Sequence, residues 1–151
     1  MECFFSFLGG YVFWTQTQRI ISKTIKQEIE FESPPHEIYE AYMDSEKHAK
    51  FSGQKANISR VAGGSYSAYD GHISGYNIKL VKDERIIQYW IAKTKGWPKG
   101  HLSRVEFVFK KHGSGTQLKF THSNVPEELC SSIEMGWHKH YWEPMKKMLS
   151  S

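Results

Sequence analysis

A chain of 151 residues fits one domain and can bury a real core without disulfides or metals. Lys+Arg 20 against Asp+Glu 16 leaves a net charge of +4, but the lysines are scattered or in short pairs such as Lys110-Lys111 and Lys146-Lys147. Without a basic stripe interleaved with stacking aromatics this is no nucleic-acid signature, and two cysteines, Cys3 and Cys130, cannot supply a disulfide framework, which favours a reducing, cytoplasmic setting.

The chain opens on MECFFSFLGGYVFW, an apolar patch interrupted by Ser6 and by Gly9-Gly10. It is too short to span a bilayer as a helix. Glu2 stands where a secretory signal needs positive charge. Residues 1–20 therefore read as an N-terminal extension, either flexible or docking on something apolar, and 21–151 as the domain.

From Ile21 to Phe31 a loose alternation puts Ile25, Ile29 and Phe31 on one face of a first strand. Ser33-Pro34-Pro35 then starts a helix, with Ser33 as the expected cap and Glu37 complementing the dipole. Asp44-Ser45 restarts a second short helix through Phe51. Between Lys55 and Asn124 the pattern is strand and turn: Asn57 to Val61, Tyr66 to Tyr69, the hairpin dipeptide Asp70-Gly71, and His72 to Val81 with Gly75 marking a bulge or a close approach. Arg85 to Ala92 is nearly continuously apolar, as expected of a central strand. After a loop holding Trp97-Pro98, two alternating strands follow, with Val105, Phe107 and Phe109 on one face and Leu118, Phe120 and His122 on another.

Asn124-Val125-Pro126 breaks the sheet, and Glu127-Glu128 opens a last helix. Ile133, Trp137, Tyr141, Met145 and Leu149 recur every four residues and form its apolar stripe. Pro144 lies inside that pattern and predicts a kink near His140. The order is β-α-α, about six strands, then α. That is an α+β domain in which a curved antiparallel sheet of six or seven strands wraps around a long C-terminal helix.

Four segments in this order, GGSYSAYDGHISGYNIKLV, RIIQYW, WPKGH and GWHKHYWEPMKKML, resemble the domain shared by activators of the heat-shock protein 90 ATPase and their shorter relatives. That family lies in the START-like, birch-pollen-allergen-like superfamily with the helix-grip fold, and the resemblance runs from about Ile21 to Leu149. Full eukaryotic activators place a domain with an Asn/Trp-rich motif ahead of this one; here the 20-residue extension stands there instead. The resemblance thus implies the second domain alone, which contacts the chaperone without being an enzyme. The stand-alone relatives resemble hydrophobic-ligand binders.

The space between sheet and helix is the candidate binding region. The helix offers Trp137 and Tyr141, and the sheet offers Tyr66, Trp90, Phe107, Phe120 and His122. Apolar walls with a few polar tips suit a small hydrophobic ligand, and the same rings suit a filled core equally well. Asp70 is also a candidate there, though a turn role explains it as simply. Trp97 and His101 are candidates for a pocket mouth or a partner surface. His122 on an apolar strand face reads as a hydrogen-bonded core histidine before it reads as a base, since no partner acid is close in sequence. His138 and His140 point opposite ways on a helix, no Cys/His cluster has zinc spacing, Gly113-Ser114-Gly115 lacks the lysine of a phosphate loop, and Ser131-Ser132 lacks a nucleophile elbow. No catalytic residue, metal or cofactor is assigned. Three functions follow in order: a non-catalytic binding domain whose partner is heat-shock protein 90 or another protein, a carrier of a small hydrophobic molecule or lipid, and a cyclase- or hydrolase-like enzyme using Tyr66, Asp70 or His122.

Overall fold

The computed structural model describes residues 20–151 in full. Of the segment before them it gives two strands, β1 (Glu2–Leu8) and β2 (Tyr11–Thr17), paired antiparallel as a sheet of their own. The apolar patch and its reading as a flexible or docking extension rest on side chains outside the described residues.

The domain runs β3 (Ser22–Phe31), α1 (Pro35–Met43), α2 (Ser45–Ser52), β4 (Asn57–Ile58), β5 (Ser65–Ala68), β6 (Ile73–Val81), β7 (Arg85–Ala92), β8 (Ser103–His112) and β9 (Gly115–Pro126). A 3₁₀ turn (Glu127–Leu129) leads into α3 (Cys130–Trp137), a π-helical turn (His138–Trp142) and α4 (Glu143–Leu149). The seven strands β3–β9 form one antiparallel sheet in the order β3-β9-β8-β7-β6-β5-β4. The first strand pairs with the last, β7 is central as its apolar run predicts, and the C-terminal helix lies in the sheet's concave face. This is the expected α+β helix-grip arrangement.

Alternation decides which face is buried. Ile25, Gln27, Ile29 and Phe31 of β3, Val105, Phe107 and Phe109 of β8, and Leu118, Phe120 and His122 of β9 all point inward. They meet Trp137, Tyr141, Trp142 and Met145 from the helix. Each such large side chain contributes about 1.5–3 kcal/mol by leaving water. Helix α1 adds Ile38, Tyr39, Ala41, Tyr42 and Met43 to this core; the Tyr42 ring lies 4.4 Å from Phe107. Helix α2 adds His48 and Phe51, both against Tyr141.

One local expectation is corrected. Ser33 does not cap α1: Pro34 holds the cap position without a side-chain hydrogen bond, and the Ser33 carbonyl accepts from Thr116 Oγ1 (2.8 Å). Pro35 at the first helical position has no N–H to satisfy, and the Glu37 N–H bonds the Pro34 carbonyl (3.0 Å), so fewer first-turn donors call for a side-chain cap. Strand β6 shifts register between Asn77 and Lys79, and Ile78 beside the shift lies on the outer face, 38% exposed. The helical stripe holds at four-residue spacing through Trp137, Tyr141 and Met145, all buried, with Ile133 and Leu149 packed against the same core, and the π turn adds Trp142 to the buried face.

Candidate functional site

The turn after β5 sets one side of the site. Tyr69 and Asp70 both take left-handed backbone conformations, φ 51° and 54°, ahead of Gly71. Ordinary side chains disfavour this region, and tertiary contacts must hold Tyr69 in it. The contact is on the helix: the Tyr69 hydroxyl donates to the His140 carbonyl. Pro144 lacks the N–H that would bond that carbonyl in an α-helix and crowds it instead. The helix responds by forming the π turn, in which Glu143 N–H reaches back to the His138 carbonyl. The kink expected near His140 is therefore this π turn, stitched to the sheet by Tyr69.

Beside this stitch lies a pocket of about 470 Å³ between the β6–β7 end of the sheet and α3. Ile73, Trp90 and Ala92 wall it from the sheet, and Leu129, Ile133, Trp137 and Tyr141 wall it from the helix. Gly136 leaves room on the helix side, where the nearest outside atom to a Cβ would be His140 Cδ2 at 3.8 Å. Tyr69, His72, Thr94, Ser132, His140 and Gln54 complete the rim. Two wall residues carry a buried polar atom with no hydrogen-bond partner among the described residues, Nε1 of Trp90 and the hydroxyl of Tyr141. Burial holds the Tyr141 hydroxyl protonated, well above its ordinary range, and pushes Tyr69 up to about 12.

Of the residues singled out from sequence, Trp90, Trp137 and Tyr141 line the pocket. Tyr66, Phe107, Phe120 and His122 are buried but belong to the packed core beside it. Tyr66 donates its hydroxyl to the Tyr89 carbonyl (2.7 Å). The Phe120 ring sits 4.4 Å from Trp137 and Phe107 sits 5.0 Å from Phe120. Asp70 is exposed in its turn and lies outside the lining. Trp97 packs edge-on against Trp90 (5.6 Å) and donates Nε1–H to the His101 carbonyl (3.0 Å). His101 in turn reaches the Asn124 carbonyl through Nε2 (2.7 Å), so this pair pins the β7–β8 loop.

His122 sits in a closed chain. Trp137 Nε1–H donates to its Nδ1 (3.0 Å), its Nε2 meets Ser103 Oγ (2.8 Å), and Ser103 donates to the Trp90 carbonyl (2.6 Å). An Nδ1 that accepts leaves the proton on Nε2, so the ring is neutral, and burial pushes its pKa down to about 3. His122 and Asp70 do not converge: one is committed inside, the other faces solvent. Among the described residues no group of three or more His, Cys, Asp or Glu side chains could hold a metal, and no helix is long and apolar enough to cross a membrane.

Sequence reasoning missed Tyr69, Ile73, Leu129 and Gly136. Two signals were available: a lone glycine inside an aromatic helical run, and a tyrosine just before Asp70-Gly71 in a chain whose Pro144 frees a carbonyl.

The sheet's outward face is the other surface of note. Tyr76 of β6 pairs with Tyr89 of β7, which pairs with Arg104 of β8. Tyr76 is 52% and Tyr89 40% exposed. Beside this row Arg85 donates to Glu106 (2.6 Å from Nε), and Arg104 lies 3.8 Å from the same carboxylate.

Comparison with known proteins places these features in a family. The family model described as "Activator of Hsp90 ATPase homolog 1-like protein" matches residues 32–150. The chain is 27% identical over 137 residues to the "Activator of 90 kDa heat shock protein ATPase homolog" of Dictyostelium discoideum, covering 90% of this chain and 35% of that protein. It is 29% identical over 119 residues to the "Activator of 90 kDa heat shock protein ATPase homolog 2" of Mus musculus, covering 79% of this chain and 35% of that protein. It thus spans about a third of the length of these curated relatives. The crystal structure of an HSP90 activator from Plasmodium falciparum superimposes with a TM-score of 0.75 at 24% identity, covering 85% of this chain and 96% of that one, a likeness of fold.

Proposed function

Because the chain belongs to the Activator of Hsp90 ATPase homolog 1-like family, we propose that it is a non-catalytic binding domain whose partner is the 90 kDa heat-shock chaperone and whose contact surface is the outward face of the sheet. The observation that carries this reading is the exposed row Tyr76, Tyr89 and Arg104 across three neighbouring strands. Tyrosine and arginine are the residue types that dominate interface energetics, and an outward aromatic pair has no role in the core. The names of the curated relatives support the choice of partner.

Isothermal titration of the full chain with purified heat-shock protein 90 tests it. Saturable binding at micromolar concentration is expected, weakened at least tenfold by Tyr76→Ser with Tyr89→Ser at unchanged thermal stability. No binding at high micromolar concentration would overturn it. The Trp137→Ala variant serves as control, since its buried ring bears on binding only through folding.

A second reading has its own observation. The pocket between sheet and helix has walls formed by Trp90, Trp137, Tyr141 and aliphatic side chains, and its volume lies in the range of small-molecule sites. On this reading the domain carries a small hydrophobic ligand.

A further inference from the structure

An apolar face outside the seven-stranded sheet calls for a seat. Strands β1 and β2 pair with Phe5 opposite Trp14 and Phe7 opposite Val12. Positions opposite each other in an antiparallel pair share a side, and successive positions alternate. One face of this hairpin therefore carries Phe5, Trp14, Phe7 and Val12, with Cys3 and Gln16 at its base. The other mixes Phe4, Phe13 and Leu8 with Ser6 and Thr15. No charged residue occurs between Glu2 and Arg19. A two-stranded hairpin is marginal in water by itself and gains stability by packing an apolar face on something larger.

The domain offers such a surface beside the hairpin's own tether. Gln18, Arg19, Ile20 and Ile21 are all that separate β2 from β3. The Ile21 carbonyl accepts from Glu127 N–H (2.9 Å), which fixes the point of entry at the start of the 3₁₀ turn. Leu129, two residues on, already lines the pocket between sheet and α3. Exposed apolar side chains gather at this end of the domain. Ile20 and Ile21 are exposed at the tether, and so is Leu102, whose carbonyl accepts from Asn124 Nδ2 (2.9 Å). Met135 of α3, at 72%, is the most exposed large apolar residue among those described. Leu129, Ser132 and Met135 recur every three residues along one side of the helix, a spacing that makes neighbours.

Length and charge both permit the fit. In the order β3-β9-β8-β7, three strand spacings of about 4.8 Å separate the tethered strand from the far wall of the pocket, about 14 Å in all, and a seven-residue strand is about 23 Å long. The pocket lining holds no Lys, Arg, Asp or Glu, so an uncharged hairpin face laid over it strands no ion away from water. A short tether also gives an effective concentration in the millimolar range, which favours a seat on the same chain over one on a second copy.

We infer that the N-terminal hairpin is an intramolecular cap, whose Phe5–Trp14 and Phe7–Val12 face packs on the Leu129, Ser132 and Met135 side of α3 and covers the pocket opening. Docked, it shields the apolar surface at the tethered end, and any molecule entering the pocket must first displace it. The device belongs to the chain itself and is independent of which partner or ligand the domain takes.

Paramagnetic relaxation in the full chain tests this. Ser6 falls on the hairpin's other face, so a nitroxide on Ser6→Cys, in a Cys3→Ser, Cys130→Ser background, reports position without blocking the seat. Resonances of Leu129, Ile133 and Met135, and of Ile73 and Ala92 across the opening, should lose intensity at least threefold, while Val61 and Ile78 keep theirs. Phe5→Ser with Phe7→Ser removes half of the apolar face, leaves the sequence of the domain untouched, and should restore all five signals. An absence of broadening would overturn the inference. So would broadening that fades evenly with distance from Ile21 and survives those two substitutions, the mark of a segment without a seat. Broadening of an isotope-labelled chain by a separate spin-labelled one at the same dilution would seat the hairpin on a second copy and overturn it as well.

Discussion

The Tyr69 hydroxyl donates to the one helical carbonyl, that of His140, that Pro144 leaves without an α-helical donor. A strained turn residue and a helix-breaking proline, 75 positions apart, therefore form one device. Each makes the other tolerable: Tyr69 at φ 51° is held by this bond, and the π turn is held against the sheet by Tyr69.

This link predicts coupling. Tyr69→Phe keeps the ring and removes the donor, at an expected cost of about 1 kcal/mol. Pro144→Ala restores an N–H four residues after His140 and gives its carbonyl an internal partner. In that background Tyr69→Phe should cost roughly half as much or less. Urea midpoints of the four proteins in a double-mutant cycle measure the coupling. Strictly additive costs would show that the two residues act independently.

A second expectation concerns Gly75, which lies between Tyr66 on β5 and Trp90 on β7. A Cβ built there would sit 1.9 Å from the Tyr89 carbonyl oxygen and 2.9 Å from Tyr66 Cε1. Main chain cannot swing aside as a side-chain tip can, so Gly75→Ala should cost about 3 kcal/mol or more, as overpacking in a tight core does. Adding Tyr66→Ala removes the ring and leaves the carbonyl, so it should not rescue the variant. Chemical denaturation of both proteins decides the matter; full rescue would show that the glycine makes room only for the ring.

Much of this architecture was legible in the sequence, because period-two alternation is local. Val105, Phe107 and Phe109 announce their buried face in one short run, and Gly75 announces a close approach by interrupting another. What escaped depended on partners far along the chain. Gln27 reads as an outlier between Ile25 and Ile29, yet its amide accepts from Trp142 Nε1 (2.7 Å) and donates to the Glu134 carbonyl (3.0 Å), 115 and 107 residues away. Trp142 itself falls off a strict four-residue stripe and is buried only because the π turn inserts a residue. The aromatic residues of the candidate site could be named, but not sorted. Trp90, Trp137 and Tyr141 wall the pocket while Phe107 and Phe120 pack beside it, and that division follows strand position, since the pocket lies against β6 and β7 while Phe107 and Phe120 stand on β8 and β9, not residue type.

The last prediction is acid sensitivity with a stated origin. His122 is neutral inside its hydrogen-bonded chain, and burial pushes its pKa down to about 3. His48 donates Nδ1–H to the Tyr42 carbonyl (2.8 Å), and its Nε2 has no partner among the described residues. Burial pushes His48 down to about 4, against the backbone hydrogen bond that favours its charged form. Both rings titrate near 6.5 when unfolded. Below that pH the unfolded chain binds more protons than the folded one, so their contribution is complete above pH 6.5 and is lost as pH falls toward 4 for His48 and toward 3 for His122. The slope is about 1.4 kcal/mol per pH unit for each ring inside its window. Glutamine at position 122 supplies a donor and an acceptor but no titration. His122→Gln should therefore lower stability at pH 7.5 yet flatten the decline between pH 6.5 and 4.5 by about that slope for one ring. Carboxylate titration contributes equally to both proteins and cancels in the difference. Urea midpoints measured at half-unit intervals would give the two curves, and parallel curves would mean that His122 is not held neutral by the fold.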